Sequence, residues 1–162
     1  FKNGKREGRH VEFHKNTQLK VQIIFKNGKR EGRYYEYDKD GRVKEEGGFK
    51  NGKREGPYVS YIEGTYKKRE EGNYKNGKRE GVFRRYSERV GKGLEYEGTY
   101  ENGLPHGIHQ SYDTWGKRYM QTEYKNGKKD GLQCFGARTC RSSGGSVCFK
   151  NDEEVIMSYC KK

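Results

Sequence analysis

The chain has 162 residues, a formal net charge of +13, 36% charged residues and only 28% hydrophobic residues. That balance excludes an ordinary aliphatic core, and no stretch approaches the ~20 consecutive apolar residues of a membrane-spanning helix. What apolar content there is comes mainly from 14 Tyr and 7 Phe, residues that bury so much area each that a thin aromatic stripe can stand in for a bulky core.

From the first residue onward one phrase recurs. FKNGKREG begins at Phe1, Phe25 and Phe49, YKNGKREG at Tyr74, YENGLPHG at Tyr100, YKNGKKDG at Tyr124, and a worn copy, FKNDEE, at Phe149. The steps are 24, 24, 25, 26, 24 and 25 residues. A period of this size marks a stacked repeat array. Such regularity argues against the disorder that the low hydrophobicity would otherwise suggest, and arrays of this kind usually bind or scaffold. The chain opens inside a repeat, lacks an initiator Met and shows no secretory signal peptide. It is therefore expected to be a fragment or a processed product of something longer.

Residues 25 to 49 define the elements of one repeat. Asn27-Gly28 predicts a tight hairpin of type I′, in which both central residues need positive φ. Gly32 opens an aromatic strand, Arg33 to Tyr37. Asp38-Lys39-Asp40-Gly41 forms a second turn, and Val43 to Phe49 is a returning strand. No segment shows helical periodicity. The expected fold is all-β: an elongated, single-layer antiparallel meander of stacked ~24-residue hairpin repeats, with two strands per repeat and about 13 in all. Residues 1–133 form the array, with repeats starting near 1, 25, 49, 74, 100 and 124. Residues 134–162 form a Cys-containing C-terminal cap that includes the degenerate copy at 149.

Five residues after the second glycine of the first five copies stands another aromatic: Phe13, Tyr37, Tyr61, Tyr86 and Tyr112. The plainest role for this stripe is stacking on its equivalents in neighbouring repeats. Its face is open at the level of sequence. A strict two-residue loop pairs Phe25 with Arg30 and puts Phe25 on the face of Tyr34, with Tyr35 and Tyr37 opposite. A one-residue bulge in Lys-Arg-Glu-Gly would reverse that.

The pattern Tyr-x-Asn-Gly-x-x-x-Gly, followed by an aromatic strand, a turn and a Glu-Gly-x-aromatic return, resembles the MORN repeat. The likeness is closest to the variant of bacterial proteins and of large DNA viruses of protists. Residues 96–107 match the standard form best, and the resemblance covers residues 1 to about 133 in six copies that agree in phase. It implies a twisted single-layer sheet, often grooved, that serves protein binding, scaffolding or dimerisation, sometimes with phospholipid contact. Some bacterial relatives are antitoxin-like. The chain departs from the family in its very basic turns and in its cysteine-bearing end.

Each KNGKREG turn supplies Lys, Lys and Arg, and all such turns should emerge on one edge of the sheet. Lys2, Lys5 and Arg6 then align with Lys26, Lys29 and Arg30, with Lys50, Lys53 and Arg54, and with Lys75, Lys78 and Arg79. Glu101, Leu104 and Pro105 interrupt the row before Lys125, Lys128 and Lys129 resume it. A nucleic-acid backbone, an anionic membrane or an acidic protein surface fits such a basic ridge. A solvated turn row, partly neutralised by Glu7, Glu31, Glu55 and Glu80, fits equally well.

All four cysteines lie in the last 29 residues, at Cys134, Cys140, Cys148 and Cys160. They lack the close C-x2-C spacing of usual zinc sites. Two disulfides, reduced packing thiols and a metal site all stay open, and Ser142-Ser143-Gly144-Gly145 reads as a turn that brings Cys140 near Cys148. His106 and His109 have no acidic or cysteine ligand at a supporting spacing. No nucleophile elbow, phosphate loop or dinucleotide fingerprint is present. The expectation is a non-catalytic scaffold without catalytic residues, metal, cofactor or small-molecule substrate. It would bind protein partners in a larger assembly such as a virus particle or cell envelope. The rivals are an electrostatic binder of nucleic acid or anionic membrane, and an antitoxin or immunity protein.

Overall fold

The computed structural model describes residues 1–89, 93–136 and 146–160, side chains 158 and 159 excepted. Its strands, in chain order, are β1 (Gly8–Phe13), β2 (Leu19–Lys26), β3 (Lys29–Tyr37), β4 (Val43–Lys50), β5 (Lys53–Arg54), β6 (Gly56–Tyr61), β7 (Lys68–Lys75), β8 (Lys78–Arg79), β9 (Gly81–Tyr86), β10 (Leu94–Glu101), β11 (Leu104–Tyr112), β12 (Arg118–Lys125), β13 (Lys128–Phe135), β14 (Ser146–Lys150) and β15 (Glu153–Val155). A single 3-10 turn, Met157–Cys160, is the one helical element among the described residues. The protein is all-β, and its strands form open antiparallel sheet in which sequence neighbours pair. The chain divides into two compact units, Phe1–Lys78 and Arg79–Lys162. The first orders its main strands β1-β2-β3-β4-β6-β7, and the second runs β9 through β15.

The Asn-Gly turns are what the dipeptide demands. Asn27 has φ 51° and Gly28 φ 80°, and Asn51, Asn76, Asn102 and Asn126 repeat the left-handed value within two degrees. Both central residues are thus left-handed, as a type I′ turn requires.

Immediately after each turn the register slips. Phe25 pairs with Arg30 and Ile24 with Glu31, but Ile23 pairs with Tyr34, so Gly32 and Arg33 are skipped. The same two-residue step separates Tyr100–Pro105 from Gly98–His109, and Tyr124–Lys129 from Thr122–Gln133. A skip of two leaves the alternation of faces intact. Phe25 therefore shares a face with Tyr34, and Tyr35 points the other way, as the strict two-residue loop requires.

That shared face holds the core. Ile23, Phe25, Tyr34 and Phe49 are buried and form one cluster, with Val21 packed against it. Each opening aromatic from Phe25 to Tyr124 meets, in T-shaped or tilted contact, the residue nine positions after the previous opening aromatic. The pairs are His10–Phe25, Tyr34–Phe49 and Tyr58–Tyr74 in the first unit, then Phe83–Tyr100 and His109–Tyr124 in the second. Their ring centroids lie 4.7 to 5.7 Å apart, within the range of favourable aromatic geometry. Room for these rings comes from strand glycines. A Cβ on Gly98 would stand 2.5 Å from Tyr96 Oη and 2.6 Å from His109 Nδ1.

Candidate functional site

The repeated phrase is a coupling device between consecutive turns. The N–H of Gly28 donates to the carbonyl of Arg6 at 2.9 Å, and that of Gly52 to the carbonyl of Arg30 at 2.8 Å. Gly77 donates likewise to Arg54, Gly103 to Arg79 and Gly127 to Pro105. Beside this bond, the carboxylate of Glu7 accepts from the N–H of Asn27 at 2.7 Å. Glu31 does the same for Asn51, Glu55 for Asn76 and Glu80 for Asn102. The turn glutamates are thus committed to main-chain donors that a turn would otherwise leave to solvent.

The arginines fold inward over the aromatic face. Arg6 lies 5.2 Å above the ring of Phe25 and Arg30 5.3 Å above Phe49. Arg54 stands 5.0 Å from Tyr58, 5.5 Å from Phe49 and 5.6 Å from Tyr74, and it pairs with Glu45. Arg79 covers Phe83 and Tyr100. Lys129 takes the place of arginine over Phe149 at 4.7 Å. A cation over a ring contributes about 0.5–1 kcal/mol at an exposed site and about 2 when desolvated. The expected three-residue ridge therefore divides. Arg6, Arg30, Arg54 and Arg79 lie against rings and bind the repeats together, and only the lysines remain at the turn tips.

Those lysines are Lys2, Lys5, Lys26, Lys29, Lys50, Lys53, Lys75 and Lys78 in the first unit, with Lys125 and Lys128 in the second, and all are exposed. None makes an ion pair among the described residues. Their stems are not loose: the second lysine of each turn lies against the glycine of the next. A Cβ built on Gly28 would be 3.7 Å from Lys5 Cβ, on Gly52 3.8 Å from Lys29 Cβ, and on Gly77 3.6 Å from Lys53 Cβ. The aliphatic base is held while the ammonium group stays in water. In the second unit Leu104 fills this place against Gly127.

The stripe Phe13, Tyr37, Tyr61, Tyr86 and Tyr112 is not the core. Within each unit its residues alternate with the buried ones and sit on the opposite face. Phe13 is 61% exposed. Tyr37 stacks on Tyr35 with centroids 6.3 Å apart. The Tyr61 hydroxyl donates to Glu46 at 2.6 Å, and this bond, with burial, pushes its pKa up to about 12. Tyr112 donates to Gln110 at 2.7 Å, and Tyr86 is half-buried. The same face carries exposed aliphatics: Ile24 in the first unit, Val82 and Ile108 in the second. The core position, His10, Tyr34 and Tyr58 in the first unit and Phe83, His109 and Gln133 in the second, lies nine residues into each repeat. It escapes a search for aromatics because histidine and glutamine replace the ring in three copies. Counting offset nine in every copy, whatever the residue, would have exposed it.

His109 is buried in the second unit. Its Nε2–H donates to the Thr99 carbonyl at 2.7 Å, so Nδ1 accepts from the Tyr96 hydroxyl at 2.6 Å, and Tyr96 in turn faces Tyr100 Oη at 3.0 Å. Burial pushes the His109 pKa down, against hydrogen bonds to the main chain of Thr99 and of His106 that raise it. His106 lies instead 3.4 Å from Glu101. The two histidines do not converge on a common point.

At the C-terminus Cys148 is fully buried and forms a disulfide with Cys160. The expected closeness of Cys140 to Cys148 turns on a residue outside the described ones. Cys148 is tied forward to the 3-10 turn, which follows directly on β15. Cys140 and the turn 142–145 lie outside the described residues. Cys134 is buried, and no described cysteine is a free thiol.

Turn coupling, an aromatic ladder on one face and a hairpin period near 24 residues define an antiparallel repeat protein. The family model described as MORN repeat matches residues 46–57, 71–82 and 96–108, segments that each span a return strand, an Asn-Gly turn and the glycine after it. The chain is a MORN-repeat protein. No curated protein matches it. MORN repeats commonly mediate protein or membrane interactions.

Proposed function

We propose that this chain is a non-catalytic scaffold that binds a protein partner within a larger assembly, such as a virus particle or cell envelope. One observation carries the reading. The aromatic residues divide between two faces, and only one set is consumed by folding. The ladder of opening aromatics and their partners nine residues on closes the core. Tyr37 and Tyr61 in the first unit, and Tyr112 in the second, are left on the other face of their own unit, half-exposed and held in place by local stacking and hydrogen bonds. Tyrosines held this way supply large contact area at low conformational cost, which is why they recur at protein interfaces. Exposed Phe13 and Ile24 extend the apolar part of that face.

The test is affinity capture from native extract with the wild-type chain and with Tyr37→Ala/Tyr61→Ala, folding being checked by circular dichroism. Loss of a stoichiometric protein partner in the double variant supports the reading. Unchanged capture would move the interface away from this face.

A further inference from the structure

We infer that the lysine ridge of the first unit is a binding surface for the phosphate backbone of nucleic acid, read by charge and not by base. This goes beyond the protein-binding reading and rests on a different surface. The argument begins with which charges remain free. Of the four charged residues in each KNGKRE turn, the arginine lies on a ring. The glutamate accepts from the N–H of the next asparagine. The two lysines have no ion-pair partner among the described residues. The exposed tip is therefore Lys-Asn-Gly-Lys in each of the four turns.

Register is fixed as well. Turn-to-turn hydrogen bonds connect every turn of this unit to the next. The second lysine of one turn rests its stem on the glycine of the following turn. Successive turns are two strands apart, so the ammonium pairs recur about every 10 Å. Four turns then span about 30 Å, the length of roughly nine base pairs at 3.4 Å per phosphate of one strand.

Three partner classes carry negative charge, and the surface favours one. An anionic membrane is usually held by basic residues together with an apolar or aromatic side chain that enters the interface. The four tips contain none. A folded acidic protein would need carboxylates matched to the lysine positions. A polyphosphate chain needs only charge within reach of flexible ammonium groups, and it gains counterion release for every phosphate neutralised. In the second unit the row is broken by Glu101, Leu104 and Pro105, so the inference is confined to the first.

The experiment is fluorescence anisotropy of a labelled duplex of about 20 base pairs, titrated with the full chain between about 50 and 300 mM salt. Three proteins are compared: wild type, a ridge variant (Lys26→Gln, Lys29→Gln, Lys50→Gln, Lys53→Gln), and a charge-matched variant at the opposite ends of the strands (Lys15→Gln, Lys39→Gln, Lys67→Gln, Lys117→Gln). Wild type should bind with a steep salt slope. The ridge variant should bind at least about tenfold more weakly at about 100 mM salt, with its slope reduced by about three to four. The charge-matched variant should keep most of the slope. Equal loss in that variant would reduce the effect to net charge and overturn the inference. So would absence of wild-type binding at the lowest salt, or tighter binding to phosphatidylserine vesicles or polyglutamate than to the duplex.

Discussion

The two units are built from the same phrase and use it differently. In the first, three consecutive couplings are chemically identical: an arginine on a ring, a glutamate on an asparagine N–H and a carbonyl on a glycine N–H. In the second, the module drifts. Pro105 keeps the carbonyl bond to Gly127 but brings no cation. His106 stands where the glutamate would be, and His109 replaces the ring of the core column. The main-chain bond survives every substitution, because any residue supplies a carbonyl. The side-chain contributions are the expendable part. The second unit has features the first lacks: a fully buried cysteine joined to its last turn, and a buried histidine wired to tyrosines.

The largest expected effect separates the units by packing. Phe83 is 1% exposed, the best-buried ring among the described residues. Phe83→Ala should lower stability by about 3–5 kcal/mol. Phe13→Ala, on the 61% exposed stripe residue of the first unit, should change it by less than about 0.5 kcal/mol. Denaturant titration of both variants measures the contrast, and comparable losses would mean that the two faces had been assigned wrongly.

Next comes the disulfide. Cys148 and Cys160 are 12 residues apart in sequence, and closing a loop of that size restricts the unfolded chain by about 3 kcal/mol. Cys148→Ser/Cys160→Ser should lose about 2–4 kcal/mol. Hydrogen exchange should show the loss at β14 and β15, with amide protection in β2 and β3 unchanged.

Within the first unit, the arginines should rank by the number of rings they cover. Arg54 meets Tyr34, Phe49, Tyr58 and Tyr74 and pairs with Glu45. Arg6 meets Phe25 alone. Arg54→Ala should cost about 2 kcal/mol and Arg6→Ala about 0.5. Equal values would show that the ring contacts do not set the strength of the coupling.

The smallest effect is one of pH. In the fold His109 is held neutral by burial, so its pKa lies below the ordinary value that it regains on unfolding. The unfolded chain then binds the extra proton first. The contribution is fully present above about pH 6.5 and is lost as pH falls below it. His109→Phe, which restores the ring found at Phe83, should remove that part of the pH dependence. A thermal-unfolding series from pH 7.5 to 5 decides. An unaltered profile would clear His109 of any part in it.

Much of the architecture was legible from residues alone, for a physical reason. A type I′ turn admits few residues at its central positions, so Asn-Gly announces itself wherever it stands, and a period of about 24 residues leaves little but stacked hairpins. All-β structure and turn positions follow from local backbone chemistry of that kind, and the repeat family from the likeness of the repeated phrase. What the sequence could not decide was where each long side chain goes. Lys29 and Arg30 are neighbours and alike in charge, yet one stem rests on a turn glycine and the other cation covers a ring in the next repeat. The choice depends on a two-residue register slip and on contacts made with the following repeat. The pairing of Cys148 with Cys160 is of the same kind, since spacing alone cannot tell which sulfurs the fold brings together. Tertiary structure alone divided the aromatics into a core face and an exposed face, and turned a ridge of mixed basic residues into one of lysine. Register and packing at a distance determined both outcomes, and composition carries neither.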